Sequence, residues 1–153
     1  MGLDMYLTKK SYVKKWDFQK KNHEVDVKYD GEDRLDIKPE RISEVVEEVM
    51  YWRKANHIHG WFVENIQGGI DECQESHVEL DDLIKLKDLC KKVLETKNTD
   101  LLPITGGFFF GSKEVDDFYW EDTEATVEAI EGILAEKRPD GATAPSFYYQ
   151  ASW

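Results

Sequence analysis

The sequence predicts an α+β fold, an antiparallel or mixed sheet with about three helices packed on it. Three observations carry this. Period-two stretches lie at both ends of the chain, at 3–13 and 146–153. Amphipathic helical stripes occupy 80–95 and 115–134. No internal repeat, low-complexity tract or linker interrupts the 153 residues, so the length reads as one domain. Such a domain can bury roughly two-thirds of its unfolded surface without disulfides or metals.

The elements follow in order. In LDMYLTKKSYV (3–13) Leu3, Met5 and Leu7 share one face of a first strand. HEVDVKY (23–29) alternates Val25, Val27 and Tyr29 against charge, and Asp30-Gly31 closes it as a turn. RLDIK (34–38) offers a further short strand, so residues 1–38 read as an N-terminal antiparallel region. Pro39 stands where a helix can start without losing a hydrogen bond. Ile42, Val45, Val46, Val49 and Met50 then form a helical stripe, although their β-branching also permits a strand. From Lys54 to Ile66 the pattern is helical, with Ile58, Trp61, Phe62, Asn65 and Ile66 on one face, and Gly68-Gly69 ends it.

Residues 70–77 read as a loop. The next helix turns Leu83, Leu86, Leu89, Cys90, Val93 and Leu94 inward. Acids Glu79, Asp81 and Asp82 sit at its start and Lys91 and Lys92 near its end, complementing the dipole. Phe108-Phe109-Phe110 cannot all face one side of a strand, so either both faces are covered or one ring lines a cleft. The flanking glycines permit close approach of backbone or ligand. A third helix over 115–134 is expected to turn Val115, Phe118, Tyr119, Thr126, Val127, Ile130, Ile133 and Leu134 inward. Helices and the FFF strand thus fill 40–136. SFYYQASW (146–153) is a terminal strand, expected in the sheet because a free aromatic edge is sticky. Its aromatic content also makes a homo-oligomer an expectation.

Charge narrows the function classes. The net charge is −12, which disfavours nonspecific binding to nucleic acid or anionic lipid. Residues 1–28 hold seven lysines against four acids, a local +3, and the rest carries −15. The start of the chain lacks a secretory pattern and no apolar run approaches about 18 residues, so a cytoplasmic location and no membrane partner are expected. Cys73 and Cys90 read as reduced structural thiols.

The richest stretch is YWRKANHIHGWFVENIQ (51–67), which combines aromatics, two cations, two histidines and three amides. Arg53, Lys54, Asn56, His57, Trp61, Asn65 and Gln67 suggest a recognition face. Arginine forks a phosphate, asparagine reads a base edge and tryptophan stacks on a base. Trp52, Phe110 and Tyr119 complete the candidate ligand-binding set. On a helix His57 and His59 point about 200° apart, and no metal-binding spacing accompanies them, so no metal site is expected. No phosphate loop, nucleophile elbow or kinase signature stands in the sequence, and no cofactor is implied.

MGLDMYL, YWRKANHIHGWF, LCKKVL, FFFGS and DDFYWED, in that order, resemble a family of small acidic proteins encoded by bacteriophages and bacterial prophages. The resemblance runs to about Leu134 and is weakest over 137–153. It implies a viral or prophage origin and expression inside a bacterium. The expected function is a non-enzymatic binding protein that acts on host physiology or defence by sequestering a nucleotide-type signalling molecule. Two rivals stand beside it. One is an acidic inhibitor of a basic host protein, using Asp116, Asp117, Glu121, Glu124, Glu128 and Glu131 as a phosphate-like row. The other is an enzyme with His57 or His59 as base.

Overall fold

A computed structural model describes residues 2–107 and 110–153. The elements are β1 (Asp4–Tyr12), β2 (Lys28–Tyr29), β3 (Glu32–Asp33), β4 (Glu44–Arg53), α1 (Asn56–Asn65), β5 (Ser76–Val78), α2 (Leu80–Thr96), α3 (Asp117–Ala135) and β6 (Ser146–Ser152). Short 3-10 turns cover Pro39–Arg41 and Thr99–Leu101. An antiparallel sheet runs in the order β4-β1-β6-β5, and β2 and β3 form a separate hairpin. The fold is α+β, as the alternation at the two ends predicts.

The sheet has one packed face. Register places Met5 beside Trp52 and Ala151, and Leu7 beside Met50 and Tyr149. Phe147 and Val78 extend the row. All but Met50 are buried, and Met50 packs on the same core. The terminal strand β6 lies between β1 and β5, and β5 covers its aromatic run Phe147–Tyr149, the part expected to invite oligomerisation. Tyr149 at its centre is fully buried and stacks on Phe62 of α1, with ring centroids 3.8 Å apart and planes 5° from parallel.

The helical reading of 42–50 is overturned. The valine run pairs with β1 from Tyr12↔Glu44 to Asp4↔Arg53, because β-branched side chains fit the pleated, half-buried surface that β1 offers. Val49 is the extra residue of a bulge, so the strand changes phase there and mimics a helical period. The strand expected at 23–29 shrinks to Lys28–Tyr29, which pairs with Glu32–Asp33 across Asp30-Gly31 in an exposed hairpin, and the strand expected at 34–38 is overturned, since those residues form a turn. With no core to cover, alternation alone does not make a long strand there. The expected loop at 70–77 contributes Ser76 and His77 to β5.

Helix α2 forms as predicted. Glu79 and Asp82 close a reciprocal capping box, and Leu83, Leu86, Cys90 and Val93 are buried. Burial pushes the Cys90 thiol up to about 12, so it is an inert core group. Cys73 is only half-buried. Helix α3 starts two residues later than expected. Asp116 caps it through the Tyr119 N–H, and Tyr119, Thr123, Thr126, Ile130 and Ile133 set the buried face. Val115 and Phe118, expected inward, are exposed at 41% and 71%. The strand expected at the phenylalanine run falls partly on Phe108 and Phe109, outside the described residues; Phe110 is buried but in no strand.

No helix among the described residues is long and apolar enough to cross a membrane. One close approach ties Thr105 to α1. A Cβ on Gly60 would stand 2.0 Å from Thr105 Oγ1. Gly60→Ala is therefore expected to cost about 1–3 kcal/mol by overpacking. Adding Thr105→Ala should recover most of that loss, as urea denaturation of the two variants can measure.

Candidate binding cleft

The cleft is built where β4 hands over to α1. Lys54 takes a left-handed conformation at φ 56°, and its N–H donates to the Leu3 carbonyl at 2.7 Å. That residue turns the chain off the sheet. Gly111, at φ 92°, lies against it, and a Cβ there would stand 2.9 Å from Lys54 Cβ. Glycine is needed at 111 on both counts.

Asn56, the first residue of α1, fixes the opposite wall. Its Nδ2 donates to the carbonyls of Phe110 (2.9 Å) and Ser112 (3.0 Å). Its Oδ1 accepts the Thr105 N–H at 3.2 Å. Both amide protons are used and the side chain is buried, so Asn56 reads the protein's own backbone and not a ligand. The segment it holds, the end of β4 and the start of α3 enclose a cavity of about 700 Å³.

The cations expected at the site are there. Arg53 and Lys54 line the cleft and are exposed, and neither forms a salt bridge among the described residues. Glu114, Asp116 and Asp122 line the same cleft. His57 and Tyr119 also line the cleft but are almost wholly buried. Their rings stack at 4.1 Å. The Thr123 hydroxyl donates to the Tyr119 carbonyl at 2.6 Å, so it accepts from His57 Nε2–H at 3.0 Å. Burial lowers the His57 pKa to about 4 against the pull of Asp116, which makes the imidazole neutral at pH 7. The Tyr119 hydroxyl donates to the Leu102 carbonyl at 2.7 Å, and burial raises its pKa to about 12.

Five of the predicted residues do other work. Trp52 lines the cleft but is only 2% exposed. Its indole N–H donates to Thr126 Oγ1 at 2.8 Å, so its ring is core and offers no open face for stacking. Trp61 packs edge-on against Phe62, and Asn65 donates to the Trp61 carbonyl; neither lines the cleft. Phe110 is buried against His59 and Trp153, outside the cleft lining. Gln67 likewise donates to the Gln74 carbonyl and Ser76 Oγ, bracing the 67–76 loop.

The exposed rings at the cleft are Tyr51 and Phe118, neither of which was in the predicted set. Phase identifies Phe118: once Tyr119 and Thr123 face the core, the residue before Tyr119 must face out. His57 and His59 diverge as a helix requires. His59 is fully buried, its Nε2–H donating to Asp71 at 2.9 Å and its Nδ1 accepting the Tyr149 hydroxyl at 2.6 Å. Trp153 adds a second donor to Asp71 at 3.0 Å. This chain locks the C-terminus to α1 and does not border the cleft. Among the described residues no group of three His, Cys, Asp or Glu side chains is placed to hold a metal ion.

Asp122 has the most responsive carboxyl of the cleft. Burial first, then Glu121 and Asp116, raises its pKa to about 6. Its folded value lies above its unfolded one, so stability is lost as pH rises from about 4 to about 6, the full penalty stands above that, and none is present below about 4. Asp122→Asn is therefore expected to stabilise the protein by about 1 kcal/mol at pH 7, after discounting for solvent screening, and to do nothing at pH 4. Thermal melts of both proteins at the two pH values measure this. His57 acts in the opposite sense, since its lowered pKa removes stability as pH falls from about 6.5 towards 4. No protein-family model, curated protein or solved structure matches this chain.

Proposed function

We propose that this is a non-enzymatic binding protein of phage or prophage origin that sequesters a nucleotide-type small molecule in the bacterial cytoplasm. The observation that carries the reading is the 700 Å³ cleft with Arg53 and Lys54 on one side and Phe118, Tyr51 and Asp122 around it. Its size falls within the usual range for small-molecule sites, roughly 300–1,000 Å³. The cations suit a phosphate group. Phe118 and Tyr51 offer ring faces to a base. Asp122 can accept from exocyclic amino groups. In this reading the neutral His57, its Nε2–H donated to Thr123, serves as a wall of the cleft. Sequestration requires affinity and abundance without turnover, which suits this combination of groups.

The acidic-inhibitor reading has support from the exposed Asp117, Glu121, Glu124 and Glu128 on α3. The row is thinner than expected, because Asp116 caps the helix and Glu131 pairs with Lys91. Binding of that kind is salt-sensitive and indifferent to Arg53.

A thermal-shift panel of mononucleotides, nucleoside polyphosphates and cyclic dinucleotides tests the first reading. A member at about a hundredfold excess over its Kd adds about 2.7 kcal/mol, raising Tm by roughly 5–10 °C for a chain of this size. Arg53→Ala should abolish the shift and Phe118→Ala should weaken affinity about tenfold. Trp61→Ala should leave affinity unchanged. A panel without any shift, or a shift that survives Arg53→Ala, contradicts the reading.

A further inference from the structure

The sheet order leaves β4 as an edge of ten residues, far longer than the three-residue edge β5. Its hydrogen-bonding phase can be read from its two ends. Lys54 N–H bonds to Leu3, and Val13 N–H bonds to the Ser43 carbonyl. In an antiparallel ladder successive residues turn their backbone groups alternately towards and away from the partner. With the bulge at Val49 taken into account, Glu44, Val46, Glu48, Tyr51 and Arg53 turn theirs to the free edge. Register with Asp4, Tyr6, Thr8, Lys10 and Tyr12 of β1 puts those same five side chains on the open face of the sheet. Val46 and Tyr51 are 57% and 44% exposed there. Neither Glu44 nor Arg53 forms an ion pair among the described residues.

From this pattern we propose that two copies of the chain join β4 to β4, antiparallel, about a two-fold axis between Glu48 and Val49. Outside the axis, where Glu48 of one copy meets Glu48 of the other, the strand is complementary to itself in that one register. Glu44 of each copy faces Arg53 of the other, and Val46 faces Tyr51. Each of these pairs joins two residues whose N–H and C=O both point outwards, so the backbone bonds form in phase with the side-chain pairs. A slide of two residues either way sets Arg53 against Val46 or moves it past Glu44. Charges on an edge usually deter pairing, whereas here they select one register. The bulge falls on the axis, where the ladder is interrupted once. The result is one continuous sheet of twice the width, with an isologous interface.

Sedimentation velocity over a concentration series tests the proposal. The wild-type chain should dimerise. Glu44→Arg and Arg53→Glu should each weaken the dimer roughly tenfold or more, and the double variant should restore it, since only the swapped pair regains opposite charges. Val46→Pro removes an N–H that turns to the free edge and bonds nothing among the described residues, so it should give a monomer with a wild-type circular dichroism spectrum. Glu44 and Val46 do not line the cleft, so Glu44→Arg and Val46→Pro keep the nucleotide shift, undiminished or larger as Arg53 is released, and separate this proposal from ligand binding. A wild-type chain that stays monomeric at millimolar concentration overturns the proposal. So does a dimer unaffected by Val46→Pro, or a double variant no better than the single ones.

Discussion

The side-chain amide of Asn56 is the contact on which the cleft depends. It gathers the Thr105 N–H and the Phe110 and Ser112 carbonyls around one buried group. Thr105, Phe110 and Ser112 lie in no helix or strand, so no ladder satisfies these three groups. A buried polar group left unpaired costs about 1–3 kcal/mol, so each bond matters more than its net worth in water. Gly60 and Gly111 permit the approach, one beneath Thr105 and one against Lys54. Held in this way, Ile104, Gly111 and Ser112 line the cleft together with the end of β4 and the start of α3.

Around that contact the interior is aromatic and closed. Tyr149 stacks on Phe62, Trp52 meets both rings edge-on, and His59 binds the Tyr149 hydroxyl from the side. The polar tips of these rings are all partnered within the fold: Trp52 through Thr126, and Tyr149 through His59 and Asp71. This division explains how a chain so rich in aromatic groups presents few of them at the cleft. The rings that build the floor are core, and the rings free to meet a ligand come from the last turns of β4 and the first turn of α3. Arg53 belongs to both the cleft and the free edge of β4, so an anionic ligand and a second copy would draw on the same guanidinium.

Much of the fold is legible in the sequence because its strongest signals are local. The stripe Leu83, Leu86, Cys90 and Val93 and the alternation of Leu3, Met5 and Leu7 each report one buried face. The errors arise where tertiary context decides. The spacing of Val45, Val46 and Val49 fits a helix until a bulge is allowed. Residues 23–29 alternate without a core to pack on. At the site, Arg53 and Lys54 are legible as cations beside aromatic groups. The roles of Asn56 and Gln67 are not, since a sequence does not show which distant carbonyls an amide will meet. Trp52 and Phe118 exchange expected places for the same reason: exposure depends on helix and strand phase, and phase is fixed by the neighbours.

Amide hydrogen exchange at Thr105 tests most directly whether Asn56 builds the cleft. The account predicts slow exchange at Thr105 in the wild-type chain and fast exchange in Asn56→Ala. The Lys54 amide, bonded to Leu3 in the sheet, should exchange at the same rate in both. Equal rates at Thr105 in the two proteins would contradict it.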